Sequence, residues 1–223
     1  MNAKLFFQAI AKVLCGAALI ALLLFLPAGT PRYPQGWLFM GLLFVPMLAA
    51  GFVLMFKNPE LLQKRLNAKE EQAQQKLVLA LSGAMFLAAF IVAGLNFRFG
   101  WFVLPMWVSH AAGAVFLLAY LMYAEVLREN EYLSRTVEVQ EGQKVIDTGL
   151  YGVVRHPMYT ATVLLFLAMP LILGCLFSFA IMLIYIPIIV LRIKNEEKVL
   201  AEGLQGYTEY RKKVKYRLIP FIW

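Results

Sequence analysis

Charged residues are scarce in this 223-residue chain. Lys, Arg, Asp and Glu make up 15% of it, whereas a soluble globular domain has about 25%. Hydrophobic residues account for 61%, so the composition excludes an ordinary soluble domain. Cysteine and histidine are also rare, at two residues each. Cys15 and Cys175 fall inside apolar runs without paired metal-ligand spacing, so we expect neither a metal site nor a disulfide framework.

Five long apolar runs indicate an integral membrane protein. Each is near or above the roughly 18 residues that mark a spanning helix, and they cover residues 5–29, 36–56, 77–95, 102–123 and 158–191. The last run is too long for one helix and contains Pro170, Gly174 and Pro187, so we interpret it as a hairpin that turns near "LGCLFS". Because backbone in hydrocarbon must satisfy its own hydrogen bonds, the predicted fold is an all-α bundle of five to six transmembrane helices.

Positive charge is concentrated on one side of the predicted bundle. Of the 21 Lys and Arg residues, all but Arg32 and Arg98 lie near the ends of apolar runs that are predicted to open on the same side of the membrane, or in the tail on that side. That side is predicted to be the cytoplasm. A basic face against anionic lipid accounts for the net charge of +8, so no nucleic-acid partner is expected. The short tail without a retention signal favours a prokaryotic inner membrane.

An Arg-His-Pro triplet lies at the start of the predicted hairpin, in "TGLYGVVRHPMYTATVLL" at 148–165. Pro157 suits the first turn of a helix, which places Arg155 and His156 at its positively polarised N-terminus, where anionic groups are favoured. The alternative is that Arg155 reaches lipid phosphates while His156 caps the helix.

A second polar group follows the other arm of the hairpin, in "LRIKNEEKVLAE". If the hairpin is antiparallel, its two ends meet, and Arg155 and His156 lie close to Arg192, Glu196 and Glu197. A surface ion pair between Arg192 and Glu196, worth only about 0.3 to 0.5 kcal/mol, is the alternative. Adjacent carboxylates point about 100 degrees apart on a helix, so one can serve a site while the other serves a bridge.

Glycine and tyrosine residues surround the triplet. Gly149 and Gly152 would permit close backbone approach to a ligand. The nearby tyrosines are Tyr151, Tyr159, Tyr207 and Tyr210. Tyrosine is common at a membrane interface without any ligand, so none of the four indicates a binding site by itself.

The ordered set "TGLYGVVRHPMY", "RIKNEEKVL" and "GYTEYRKKVKYRLIP" closely resembles the isoprenylcysteine carboxyl methyltransferase family and, more distantly, the phospholipid N-methyltransferases. The resemblance covers roughly residues 125–220. It implies a single membrane domain, 1–223, with four generic helices in 1–123 and a methyltransferase-like catalytic part in 124–223. Where family members often carry glycine, this chain has Ala161, which would narrow helix packing or the cofactor slot.

The resemblance also implies the cofactor S-adenosylmethionine, in a cytoplasmic pocket formed by the last helices and the tail. Glu196 or Glu197 would pair with its ammonium group and Arg155 with its carboxylate. His156 would bind the ribose or carboxylate end, and Arg192 or Arg135 would hold a substrate carboxylate or phosphate. The implied catalytic residues are Arg155, His156, Glu196 and Arg192; the implied cofactor-binding residues are Gly149, Tyr151, Arg155, His156, Tyr159, Glu196 and Glu197.

The expected function is therefore methyl transfer to a lipid-like or prenylated acceptor. Carboxylate O-methylation is favoured, because a carboxylate is already ionised at neutral pH, whereas an amine or phenol needs a general base such as His156, Glu196 or Glu197. Two alternatives remain. One is an NAD(P)H-dependent membrane reductase of the sterol reductase type, which the tandem glutamates disfavour beside cofactor phosphates. The other is a non-catalytic membrane scaffold.

Overall fold

The computed structural model describes residues 3–66, 73–133 and 137–223, so the predicted candidate Arg135 lies outside the described residues. These ranges are helical, without a β-strand, and an isolated backbone bridge joins Val103 to Cys175. The helices are α1 (Ala3–Ala28), α2 (Pro34–Lys57), α3 (Pro59–Leu66), α4 (Ala73–Phe99), α5 (Met106–Glu129), a 3-10 helix (Gly149–Gly152), α6 (Pro157–Ile172), α7 (Leu176–Met182), α8 (Tyr185–Gly203) and α9 (Tyr207–Lys213).

Within the described ranges, five helical segments are long and apolar enough to cross a membrane, which confirms the predicted all-α membrane fold. They are Leu5–Ala28, Pro34–Lys57, Lys76–Phe99, Met106–Glu129 and Leu176–Gly203. The last of these joins α7 and α8. The protein is therefore a multi-pass integral membrane protein.

The predicted hairpin turn is also present, at Gly174. This residue has a φ of +71°, which glycine adopts readily. Its carbonyl accepts from the Leu104 amide at 2.9 Å, and Tyr33 donates its hydroxyl to the neighbouring Leu173 carbonyl at 2.6 Å. The turn thus packs against the loops that precede α2 and α5. Helix α6 has only 16 residues, and it ends at the level of those loops. It begins at the opposite end of the bundle. That end carries most of the basic residues, and we call it the basic end.

Close helix packing fixes where α6 and α8 stand. Helix α6 lies against α5 and against α7 and α8, and Phe116, Ile172, Ile189 and Ile193 are almost completely buried between them. Large apolar side chains such as Leu118 and Leu121 are exposed on the outer faces, as expected where lipid is the solvent. The start of α6 and the second half of α8 therefore meet at the basic end.

The tail, defined as residues 214–223, folds back onto the start of α6. The Arg155 amide donates to the Tyr216 carbonyl, and the His156 amide donates to the Arg217 carbonyl, both at 2.9 Å. The amides of Arg217 and Leu218 in turn donate to the Trp223 carbonyl at 2.9 Å. The Arg-His pair is thus enclosed by the tail as well as by the hairpin.

Candidate active site

A cleft opens at the basic end, between the start of α6, the second half of α8, α9 and the loop after α5. The space inside it, including the part that is open to solvent, is about 830 Å³. Its lining residues are Asn130, Tyr132, Leu133, Val137, Glu138, Gln143, Lys144, Val145, Ile146, Tyr151, Arg155, His156, Met158, Tyr159, Arg192, Glu196, Leu200, Leu204, Tyr207 and Tyr210.

Arg155 and Glu197 form a buried ion pair beside this cleft. Both Nε and Nη2 of Arg155 lie 2.7 Å from Glu197 Oε1. Nη1 donates to the carbonyls of Val214 and Lys215 at 2.7 and 2.8 Å. The other Glu197 oxygen accepts from Arg217 Nε at 2.9 Å. Four of the five Arg155 N–H groups are thus directed at protein acceptors, and Glu197 does not line the cleft, so the pair joins α6, α8 and the tail.

Glu196 points in the other direction and lines the cleft. Its side chain is 23% exposed, and it accepts a hydrogen bond from the Tyr159 hydroxyl. Arg192 Nε donates to the same hydroxyl at 2.8 Å, and His156 Nδ1 lies 3.7 Å from Glu196 Oε1. The structure therefore brings His156, Tyr159, Arg192 and Glu196 together, as the antiparallel hairpin predicts. Of the two glutamates, Glu196 is the one that can reach a ligand.

Two residues that line the cleft each carry a buried polar atom with no hydrogen-bond partner in the described part of the chain. These atoms are His156 Nε2 and the Tyr207 hydroxyl. The histidine nitrogen lies 3.4 Å from Glu197 Oε1 without making a hydrogen bond. Burial, with the charges of Glu197 and Glu196 adding to it, raises the pKa of the Tyr207 hydroxyl well above its usual range, so it keeps its proton. A buried group left unpaired costs about 1 to 3 kcal/mol, and a polar ligand in the cleft would offset that cost.

Tyr151 closes the side of the cleft nearest α5. Its hydroxyl accepts from Asn130 Nδ2 at 2.9 Å, and its carbonyl accepts from the Tyr210 hydroxyl at 2.8 Å. These bonds fix the tyrosine between the end of α5 and α9. Tyr151 is therefore held in place by the protein and presents its ring to the cleft.

Gly149 permits a close approach of a protein side chain. It is not among the residues that line the cleft, and its φ is +49°. A Cβ at this position would overlap the carboxylate of Glu129, which accepts from the Leu150 amide at 3.1 Å. The missing side chain makes room for Glu129, and the contact of Gly149 with the cofactor stays a prediction.

Part of the cleft wall comes from residues that the sequence did not single out. The loop after α5 contributes Tyr132, Gln143 and Lys144, and α8 contributes Leu200. None of the three loop residues belongs to a motif that we singled out in the sequence, and Leu200 was assigned no role. The loop forms part of the cleft wall because Asn130, at its start, contacts Tyr151.

The described ranges contain no group of three or more His, Cys, Asp or Glu residues that could hold a metal ion. The polar groups of the cleft include the carboxylates of Glu138 and Glu196, the imidazole of His156, the cationic side chains of Lys144, Arg155 and Arg192, and several hydroxyls. Such a set can bind an organic molecule with both positive and negative groups.

Comparison with known proteins finds a similarity in the region that forms most of the cleft. Residues 106–205, from the start of α5 to just past α8, match the phospholipid methyltransferase family (PEMT). The predicted resemblance is confirmed at that level, since the isoprenylcysteine carboxyl methyltransferase family is related and belongs to the same clan. The chain is also similar to the Delta(14)-sterol reductase TM7SF2 of Mus musculus, with 30% identity over 91 residues, or 40% of this chain. The aligned part is 22% of that relative's length.

Proposed function

We propose that the protein transfers a methyl group from S-adenosylmethionine to a lipid-like acceptor at the cytoplasmic membrane face. The observation that carries the proposal is the composition of the cleft. A partly exposed carboxylate, Glu196, shares it with two buried polar atoms that lack partners, on His156 and Tyr207. The phospholipid methyltransferase match covers most of the residues that form it.

The side chains fit the cofactor group by group. Glu196 pairs with the ammonium group, because it is the one of the two adjacent glutamates that lines the cleft. His156 Nε2 and the Tyr207 hydroxyl, both without protein partners, bind its carboxylate or ribose oxygens. Tyr151 and Tyr159 supply aromatic surface for the adenine. Arg155 donates its hydrogen bonds to Glu197 and two backbone carbonyls. We therefore assign it to positioning the Arg-His-Pro triplet and not to binding the cofactor carboxylate.

S-adenosylmethionine supplies, when bound, a methyl group on a positively charged sulfur. The protein's own contribution is alignment, because displacement requires the nucleophile in line with the methyl group and the sulfur. A carboxylate acceptor is already ionised, so we favour carboxylate O-methylation on a prenylated or other lipidic acceptor. An amine acceptor would have to lose a proton, which His156 could accept with Glu196 beside it at 3.7 Å.

A reductase is the second candidate function, and its support is the 30% identity to the sterol reductase over 91 residues. A nicotinamide cofactor would bring phosphates into the cleft. Lys144 and Arg192 would favour them, whereas Glu138 and Glu196, which also line the cleft, would repel them. We favour the methyltransferase because Glu196 gives the ammonium group of its cofactor an acidic partner.

Calorimetric titration of the detergent-purified chain with S-adenosylhomocysteine and with NADPH separates the two functions. We expect saturable binding of S-adenosylhomocysteine, weakened about tenfold or more in Glu196→Gln because a charged hydrogen bond is worth about 1.5 to 3 kcal/mol. The matched control is Glu209→Gln, which removes an exposed carboxylate on α9. This variant should bind S-adenosylhomocysteine as the wild type does. Binding of NADPH alone would assign the protein to the reductases, and unaltered binding by Glu196→Gln would overturn the assigned ammonium partner.

A further inference from the structure

A second groove lies behind the cleft, between α8, α9 and the tail. By the same measure as the cleft its empty space is about 640 Å³. Glu197, the buried partner of Arg155, forms part of the wall of this groove. The groove is lined by Lys194, Glu197, Lys198, Ala201, Glu202, Arg211 and Arg217.

Three parts of the chain direct cations into this groove. Lys194, Lys198 and Ala201 recur at intervals of four and three residues, so they share one face of α8. Arg211 comes from α9 and Arg217 from the tail. Lys194, Lys198 and Arg211 are exposed, and in the part of the chain that the structure describes none of these three forms a salt bridge.

The groove carries net positive charge despite its two acidic residues. Glu197 already accepts from Arg155 on one oxygen and Arg217 on the other, at 2.7 and 2.9 Å. Its charge is therefore balanced within the protein, which leaves Glu202 against the exposed cations of α8 and α9. An anion with several oxygens suits such a site, because Lys and Arg donate to phosphate oxygens.

An apolar edge adjoins the groove on the tail side. Arg217 lies 5.0 Å from the centroid of the Trp223 ring, and the turn between them exposes Phe221 by 87% and Ile222 by 76%. Phe221 adopts a φ of +67°, a conformation that costs a bulky residue about 1 to 3 kcal/mol. In an otherwise folded tail, exposed aromatic and aliphatic side chains next to cations fit the boundary between headgroups and acyl chains.

We propose that this groove binds the phosphate of an anionic phospholipid, at a site separate from the cleft. Lys194, Lys198 and Arg211 bind the headgroup phosphate, and Phe221 and Ile222 enter the adjoining acyl region. A soluble phosphate would make no use of the apolar edge, so the groove favours a lipid. The bound lipid would hold α9 and the tail against the membrane.

The test measures lipid binding to the full chain in detergent by native mass spectrometry, with phosphatidylglycerol and phosphatidylcholine as probes. We expect preferential binding of phosphatidylglycerol. The double variant Lys198→Gln/Arg211→Gln should weaken it by about fivefold for each cation removed, which corresponds to about 1 kcal/mol for each basic residue near an anionic surface. Lys76→Gln/Lys212→Gln removes two exposed cations outside the groove and should leave the preference almost unchanged.

Each contrary result has a clear meaning. Equal weakening in both double variants would indicate a general surface charge effect and overturn the proposed site, as would equal binding of the two lipids. Displacement of the lipid by millimolar inorganic phosphate would assign the groove to a soluble anion and also overturn the proposal. Binding of S-adenosylhomocysteine by the groove variant, measured in parallel, tests the cleft separately, so the two proposals can fail independently.

Discussion

Arg155 and Glu197 lie 42 residues apart in sequence, yet their side chains meet at 2.7 Å with only 5% and 4% of each exposed. The pair connects the segment just before α6 to α8. Arg217 joins it from the tail on the second carboxylate oxygen, at 2.9 Å. The segments that enclose the cleft thus share one electrostatic anchor, of which Arg155 lines the cleft and Glu197 does not.

Glu197→Gln should therefore destabilise the protein strongly. Removal of one partner from a buried ion pair costs about 3 to 5 kcal/mol, since it leaves an uncompensated charge in the interior. Thermal unfolding in detergent should show a markedly lower Tm. Glu202→Gln is the control, because it removes an exposed carboxylate from the same helix, and its effect should stay within about 0.5 kcal/mol. Equal Tm values for the two variants would contradict the anchoring role.

Tyr159→Phe should weaken ligand binding while leaving the fold intact. The tyrosine hydroxyl donates to Glu196 and accepts from Arg192 Nε at 2.8 Å, so it fixes the carboxylate that we assign to the cofactor ammonium. Loss of this hydroxyl should raise the Kd for S-adenosylhomocysteine about fivefold to tenfold, the equivalent of about one hydrogen bond.

The control for this variant is Tyr120→Phe. That hydroxyl donates to the Leu43 carbonyl at 2.9 Å, away from the cleft, so the variant loses a comparable hydrogen bond without touching the site. Its Kd should match the wild type. A Kd change of the same size in both variants would show that the effect of Tyr159 is transmitted through overall stability.

The sequence predicted the features of this fold that follow from hydrophobicity and chain reversal. Apolar runs predicted the spans, and the breakers around Gly174 predicted the hairpin. The antiparallel hairpin then required Arg155 and His156 to approach Glu196 and Glu197. This reasoning needs only helix geometry and the length of the two arms, which is why it succeeded.

The division of labour between the two glutamates could not be predicted. The side chains of Glu196 and Glu197 are about 100 degrees apart on α8, so they must point in different directions. Which of the two is buried depends on where the tail lies. The tail delivers Arg217 to Glu197, and no local pattern in the sequence predicts that return. The contact between Gly149 and Glu129 could not be predicted for a similar reason, since Glu129 reaches the glycine from the end of another helix.

Gly149→Ala should destabilise the turn more than a simple change in backbone freedom would. Its φ is +49°, and the added Cβ would overlap the Glu129 carboxylate. Gly142 also has a positive φ, +70°, but a Cβ there would meet open space. Gly142→Ala should therefore cost about 1 kcal/mol from backbone strain alone, and Gly149→Ala should cost clearly more.

Thermal unfolding of the two alanine variants in detergent measures this difference. The double variant Glu129→Ala/Gly149→Ala adds a further check, because removal of the overlapping carboxylate should make the Gly149→Ala step cost about as much as Gly142→Ala. If the penalty persists without the Glu129 side chain, the overlap is not its cause.

Tyr207 and Tyr210 provide a matched pair that separates ligand binding from folding. The Tyr210 hydroxyl donates to the Tyr151 carbonyl at 2.8 Å, whereas the Tyr207 hydroxyl is buried without a partner. Tyr210→Phe should lower the unfolding free energy by about 1 kcal/mol. Tyr207→Phe should leave stability unchanged or raise it, because it removes an unsatisfied polar group from the interior.

Ligand binding should distinguish the same two variants by direct contact. The raised pKa of Tyr207 keeps its hydroxyl protonated well past pH 10, so it can donate to an anionic or ribose oxygen throughout the physiological range. Tyr207→Phe should raise the Kd for S-adenosylhomocysteine by about fivefold or more, in a protein at least as stable as the wild type. A weaker ligand complex in a more stable protein cannot result from partial unfolding, so this combination would assign the hydroxyl to the ligand. An unchanged Kd would instead leave Tyr207 as packing in the wall of the cleft.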